Sequence, residues 1–217
     1  MSLSGASQLS SFSAFSRVMT RFLFKVIICA LLATAASVAY LSVISGDPLY
    51  TLLEWITPAR FQQHDALIRS VAAEHQLDPM LVKAVVWRES RFDSNKFGSA
   101  GERGLMQVTE KAAQEWAREN HVENFRAEEL FDPKTNLQAG SWYLYRAMQH
   151  WATQSDPIPF ALAEYNAGAS RAQRWAGGND AVIPAKTFQA NIDFPGTRKY
   201  VDSIMARMEF YKRRGRM

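Results

Sequence analysis

Two kinds of patterning divide the chain. Val26 to Gly46 is an unbroken, uncharged run, VIICALLATAASVAYLSVISG. As a helix it rises about 30 Å, enough to cross a hydrocarbon core. Beyond it, apolar positions recur at helical spacing almost throughout. Ala66, Leu67, Ile68, Val71 and Ala72 mark an amphipathic helix ending near Gln76. Asp78 and Pro79 read as the N-cap and first residue of the next helix, which runs to Ser90. Asn95 to Arg103, with Gly98 and Gly101 and no periodicity, reads as a loop. Thr109 caps a helix to about Glu119, and Asp132-Pro133 caps a long one carrying Leu137, Ala139, Gly140, Tyr143, Leu144 and Ala147. Pro157 and Pro159 open a short apolar helix that reaches Asn166, where Gly168 stops it; Gly177-Gly178 marks the next break. Thr197 to Tyr211 forms the last helix, with Val201, Ile204, Met205, Met208 and Phe210 as its apolar positions. Only Ala181 to Ile192 is ambiguous between helix and strand. The pattern predicts a mainly α domain from about Phe61 to Tyr211.

Length and composition leave that picture intact: 217 residues with 47% apolar content build one core without disulfides. The single cysteine, Cys29, lies inside the apolar run. Charge adds more. Arg17, Arg21 and Lys25 precede the run and no acid does, so the positive-inside rule keeps the N-terminus cytoplasmic and exports everything after Asp47. Ser37-Val38-Ala39 offers a cleavage site after Ala39, but the run is longer than a signal core, which favours an uncleaved anchor. Cys29 sits near the start of the run, which argues against a lipoprotein. Of the 25 basic residues, three lie before position 47 and four between Lys212 and Arg216, so 18 face 21 acidic residues in between. That balance excludes the bulk basic surface of a nucleic-acid binder. The expected division is a cytoplasmic, serine-rich, disordered 1–21, a transmembrane signal-anchor at 22–46, a juxtamembrane linker at 47–63 containing Pro58, a domain at 64–211 and a frayed basic tail at 212–217.

The chemistry starts at Glu89. On the helix from Pro79, residues Val82, Val85, Val86 and Glu89 share a face, because positions seven apart lie only about 20° from alignment. A glutamate there is partly desolvated and near the negative end of the helix dipole, and both effects favour its protonated form. A carboxylic acid kept neutral near pH 7 is what a general acid needs. Taken alone, Glu89 reads as a surface acid paired with Arg88 or Arg91. His64, His75, His121 and His150 are scattered without paired spacing, so no metal is expected. Ser90 has no His/Asp pair beside it, which excludes a serine hydrolase.

Four segments change the weight on Glu89: Glu89-Ser90, Gly104-Leu105-Met106-Gln107, Ala163-Glu164-Tyr165-Asn166-Ala167-Gly168, and Tyr200-Val201. Singly each is ordinary, a glycine allowing close packing or a helix C-cap. Their order and spacing resemble the catalytic domain of the soluble-lytic-transglycosylase-like family, a lysozyme-like fold of the goose type. Leu77-Asp78-Pro79, Asp132-Pro133 before Asn136-Leu137, and Pro195 to Val201 resemble it too, so the likeness covers roughly residues 64–211.

The resemblance implies that Glu89 is the family's single acid/base. It implies that Ser90 orients this carboxylate or the substrate, that Met106 and Gln107 line the groove, that Tyr165 and Asn166 form its far wall, and that Tyr200 reaches the carboxylate. It implies cleavage of the β-1,4 bond between N-acetylmuramic acid and N-acetylglucosamine in peptidoglycan, leaving a 1,6-anhydro ring, without cofactor. The expected partners are glycan strands, the membrane through the N-terminal helix, and cell-wall or secretion machinery proteins. Two alternatives stand beside this: a hydrolase on the same fold, and a silent wall-binding module. Glu102, where the family has small or apolar residues, and Glu164 are the candidates for a second carboxylate. Glu102 is expected to be solvated, and Glu164 to point away from Tyr165. Trp142, Tyr143 and Tyr145 read as core, with Tyr143, Trp151 or Trp175 as the candidates to stack on sugars.

Overall fold

A computed structural model describes residues 4–45, 47–178 and 182–215. It divides into two compact units, one ending at Thr51 and one starting at Leu52. The first is built on α1, Ser4–Ser45, whose apolar stretch Met19–Tyr40 is long enough to cross a membrane and is not buried. Within it the hydroxyls of Thr34, Ser37 and Ser42 donate to the carbonyls of Ala30, Ala33 and Val38, so the helix satisfies its own polar groups. Disorder was expected over residues 1–21, yet the helix begins at Ser4. Extending a helix already nucleated costs little, and residues 4–21 contain no proline and only Gly5 to oppose it.

The second unit is all helical. Its further helices are α2 (Pro48–Ile56), α3 (Pro58–Gln62), α4 (Asp65–Glu74), α5 (Pro79–Ser90), α6 (Glu110–Glu119), α7 (Pro133–His150), α8 (Ile158–Ala167), α9 (Ala169–Ala176), α10 (Ala185–Asn191) and α11 (Pro195–Arg214), α2 itself straddling the boundary. Caps expected from the sequence are made: Asp78 accepts from Met80 N at 2.8 Å, Thr109 from Ala112 N at 3.2 Å and Asp132 from Thr135 N at 2.9 Å. The ambiguous segment resolves into α10, its first residue, Ala181, lying outside the described residues. No strand forms among the described residues; the loop before α6 is pinned by two isolated bridges, Phe97 to Arg103 and Arg103 to Val108.

At the centre is α5, flanked by α4 and by α11, which also packs on α8. The sequence suggested one apolar stripe on α5, but Leu81 through Trp87 are buried all round. That burial includes Lys83, whose ammonium meets Asp65 of α4 at 2.7 Å. A second buried cation, Arg207 of α11, meets Glu54 of α2 at 3.1 Å and lies 4.0 Å from the Trp87 ring centroid.

Contacts at either end reach beyond the expected 64–211, Glu54 among them. Residues 47–63 are two helices rather than a linker, and Phe61 is buried edge-on to Phe92, ring centroids 5.5 Å apart. An aromatic and a glutamate that find partners in the core belong to the domain. At the other end α11 continues through Arg214, where a frayed tail was expected: Lys212 pairs with Asp78 at 3.0 Å.

Candidate active site

Glu89 sits in the last turn of α5, where the chain reverses through two residues in left-handed backbone, Arg91 (φ 56°) and Phe92 (φ 63°). Such conformations cost free energy for non-glycine residues. Here they are held by packing, Phe92 in the core and the Arg91 guanidinium 3.6 Å from the Trp87 ring centroid. The reversal brings residues 96–107 back across the end of α5.

Burial raises the Glu89 carboxyl to about 7, from an ordinary 4.5. Against that work a hydrogen bond from the Tyr200 hydroxyl to Oε1, at 2.6 Å, and the charges of Arg88 and Lys96. The helix dipole was expected to assist, but Lys96 Nζ donates to the Glu89 carbonyl and so places a cation on that helix end. Nor does a surface ion pair hold the carboxylate, since Arg88 lies over the Tyr200 ring and Arg91 over Trp87. Burial dominates.

Facing Glu89 is the wall from Gly104 to Gln107. Gly104 has φ +74°, and a Cβ there would come within 2.2 Å of the Leu130 carbonyl oxygen, so only glycine fits. Asn136, fully buried on α7, holds this wall with one side chain. Its Oδ1 accepts from Met106 N at 2.7 Å, and its Nδ2 donates to the carbonyls of Arg103 and Leu130 at 2.7 and 2.8 Å. Gln107 donates from Nε2 to the carbonyls of Lys96 and Gly104 at 3.1 and 3.0 Å. Tyr165 donates to the Met106 carbonyl at 3.0 Å, and Asn166 Oδ1 accepts from Thr197 at 2.8 Å. With its oxygen engaged there, Asn166 keeps its amide N–H groups for the cleft.

The result is an open, polar cleft of about 490 Å³ lined by Glu89, Lys96, Phe97, Gly98, Ser99, Glu102, Gln107, Thr109, Tyr165 and Asn166. Of the expected site residues, Glu89, Gln107, Tyr165 and Asn166 thus meet at one cleft, with Tyr200 bonded to Glu89 from behind. Two residues do not. Ser90, about 100° further round α5 than Glu89, is buried and donates to the Val86 carbonyl at 3.2 Å. Met106 is fully buried, its sulfur 3.7 Å from the Ser141 hydroxyl and close against Gly140; only its backbone serves the wall.

Lys96, Phe97 and Ser99 were not singled out as cleft residues. Their one signal was a glycine-bearing aperiodic loop between two motifs, the kind of segment that carries function. Phe97 is 62% exposed at the cleft, with the Arg103 guanidinium 5.4 Å from its ring centroid. Of the candidates for stacking, Trp151 and Trp175 are core, and Tyr143 packs edge-on to Tyr165. Glu102, expected in solvent, lines the cleft with its Oε2 accepting from Ala100 N at 2.9 Å. Glu164 faces a different cavity, bonded by His150 Nδ1 at 2.7 Å and Trp151 Nε1 at 2.8 Å.

Fold and site together define a mainly α, lysozyme-like domain with one desolvated carboxylic acid in an open cleft. The family model of the transglycosylase SLT domain matches residues 66–188, more than half of the chain, and the chain belongs to that family. It is similar to the soluble lytic murein transglycosylase of Salmonella typhimurium, 30% identical over 130 residues, which cover 59% of this chain and 20% of the relative. Membrane-bound lytic murein transglycosylase F of Desulfosudis oleivorans is 32% identical over 112 residues, 50% of this chain and 23% of that one. Among solved structures, the 70 kDa soluble lytic transglycosylase of Escherichia coli aligns with a TM-score of 0.63 at 26% identity, covering 69% of this chain and 24% of the other. The chain therefore spans about a fifth to a quarter of the length of these relatives.

Proposed function

We propose that the chain is a peptidoglycan lytic transglycosylase that cleaves the β-1,4 bond between N-acetylmuramic acid and N-acetylglucosamine and closes a 1,6-anhydro ring on the muramyl product. The observation that carries the reading is Glu89, an acid near pKa 7 in the cleft, bonded by Tyr200. Because Oε1 accepts from Tyr200, the acidic proton of neutral Glu89 belongs on Oε2. That proton passes to the glycosidic oxygen as the C1–O4 bond breaks. The substrate's 2-acetamido group stabilises the positive charge at C1, as in substrate-assisted glycosidases. The Glu89 carboxylate then takes the proton of the C6 hydroxyl as O6 bonds to C1, and no water is consumed. Burial pushes the Tyr200 hydroxyl well above its ordinary range, so it remains a donor in both halves. Asn166 N–H groups are available to polar atoms of the sugar.

The apolar helix Met19–Tyr40 supports an anchor in the inner membrane with the domain on the periplasmic side. A second reading draws on Glu102: a second carboxylate on the cleft favours a hydrolase, which would activate water. Mass spectrometry of digested peptidoglycan separates the two. Anhydro ends are expected from the wild type; products with only reducing ends would sink the transglycosylase and favour Glu102. Glu89→Gln is expected to lose about 10²–10⁴-fold in turnover while binding glycan strands unchanged.

A further inference from the structure

The helix α2 is amphipathic the wrong way round. Its glutamate is inside: Glu54 is 7% exposed, with Oε2 3.1 Å from Arg207 Nη1 and Oε1 3.9 Å from Arg214. Its large apolar side chains are outside: Leu52 is 44%, Trp55 45% and Ile56 66% exposed. Positions 52, 55 and 56 have the i, i+3, i+4 spacing of one helical face. Turning that face inward would strip Arg207, fully buried, of its carboxylate, at a cost of about 3–5 kcal/mol. The buried pair therefore holds a leucine, a tryptophan and an isoleucine toward solvent against the hydrophobic effect, as happens where an apolar partner is to cover them.

Two observations identify that partner. The face begins only twelve residues beyond Tyr40, the end of the membrane-length apolar stretch. Its rim is basic: the Arg214 guanidinium stands 5.7 Å from the Trp55 ring centroid, and the last turn of α11 consists of Lys212, Arg213 and Arg214. Tryptophan beside arginine is the pairing that suits headgroup depth, where the indole meets the acyl boundary and the guanidinium meets phosphate.

We propose that the Leu52–Trp55–Ile56 face of α2, with Arg214 at its rim, docks on an anionic phospholipid surface as a helix lying in the membrane plane. The proposal rests on reading Met19–Tyr40 as a membrane anchor, and it gives the region after that anchor a second task. A tether alone leaves the domain free to tumble; a docked face orients it. Since α11 rises about 21 Å from Tyr200 to Arg214, docking also keeps Glu89 close to the bilayer and selects the innermost glycan strands.

The test uses the full chain with Cys29→Ser, which removes the native thiol, and Ile56→Cys carrying an environment-sensitive fluorophore. It is reconstituted into vesicles of phosphatidylethanolamine and phosphatidylglycerol. The expected result is blue-shifted emission that is lost to nitroxides placed shallowly on the lipid chains and protected from aqueous iodide, with a weaker loss in pure phosphatidylcholine. The same label at Lys134→Cys, exposed on α7, is expected to behave oppositely. A label at position 56 open to iodide and untouched by lipid nitroxides overturns the proposal. One shielded from both also overturns it, assigning the face to a second copy of the chain. Alkaline washing reads the anchor separately: a chain washed out of the vesicles sinks both readings, and a retained chain with a wet position 56 sinks the docking alone. Digestion of peptidoglycan by the same sample keeps the enzymatic reading apart from either.

Discussion

At the scale of single residues, the site depends on one proton held against solvent. In the proposed reaction Glu89 has to be protonated to act, and its carboxyl stands near 7, so turnover is expected to be highest below neutral pH and to fall as pH rises through about 7. Tyr200 stabilises the charged form through its 2.6 Å hydrogen bond. Tyr200→Phe is therefore expected to move the falling limb of the pH–rate profile to higher pH while lowering the maximum rate, because in the proposed reaction the carboxylate it helps form is the base of the second step. A limb that stays in place would mean that the hydrogen bond does not control the acid. Helical spacing set Glu89 on a partly desolvated face, but taken alone it read as a surface acid, and the four motifs in order gave it weight. Its immediate surroundings were not legible, because Lys96 and Tyr200 reach it through tertiary contacts that no local pattern encodes. Ser90 shows the opposite failure: it is adjacent in the chain yet turned away by the pitch of the helix it shares with Glu89.

At the scale of elements, the caps made most helices legible. Asp78-Pro79, Thr109 and Asp132-Pro133 each bond the backbone where their residue types led one to expect. The wall between α5 and α6 was not legible as structure, since it has neither helix nor sheet to announce it. It is suspended from Asn136, which serves three backbone groups from the core. Leaving such groups unpaired costs about 1–3 kcal/mol each. Asn136→Ala is accordingly expected to destabilise the domain by about 3 kcal/mol or more in denaturant unfolding, and to reduce activity even at temperatures where the protein stays folded. A variant that unfolds like the wild type would show that the bridges at Phe97, Arg103 and Val108 suffice.

At the scale of the whole molecule, the mainly α class followed from periodicity, whereas the edges of the domain did not. Short helices such as α2 and α3 carry weak periodic signals, and what draws them into the domain is the Glu54–Arg207 pair and Phe61, visible only once the chain is folded. A chain beginning at His64, the edge the sequence suggests, leaves Arg207 buried without Glu54. It is expected to be about 3–5 kcal/mol less stable than a chain beginning at Leu52, which calorimetry or urea unfolding would measure; equal stability would show that α2 and α3 are dispensable. The pairing of Glu89 with Tyr200 has a consequence in time as well as in space. The two residues are 111 positions apart, Glu89 on α5 and Tyr200 on α11. A chain made from its N-terminus therefore carries its acid through the synthesis of those intervening residues without the hydroxyl that bonds it, and the long-range closure comes late. The acid therefore reaches its final setting only after Tyr200 has been made and α11 has packed on α5.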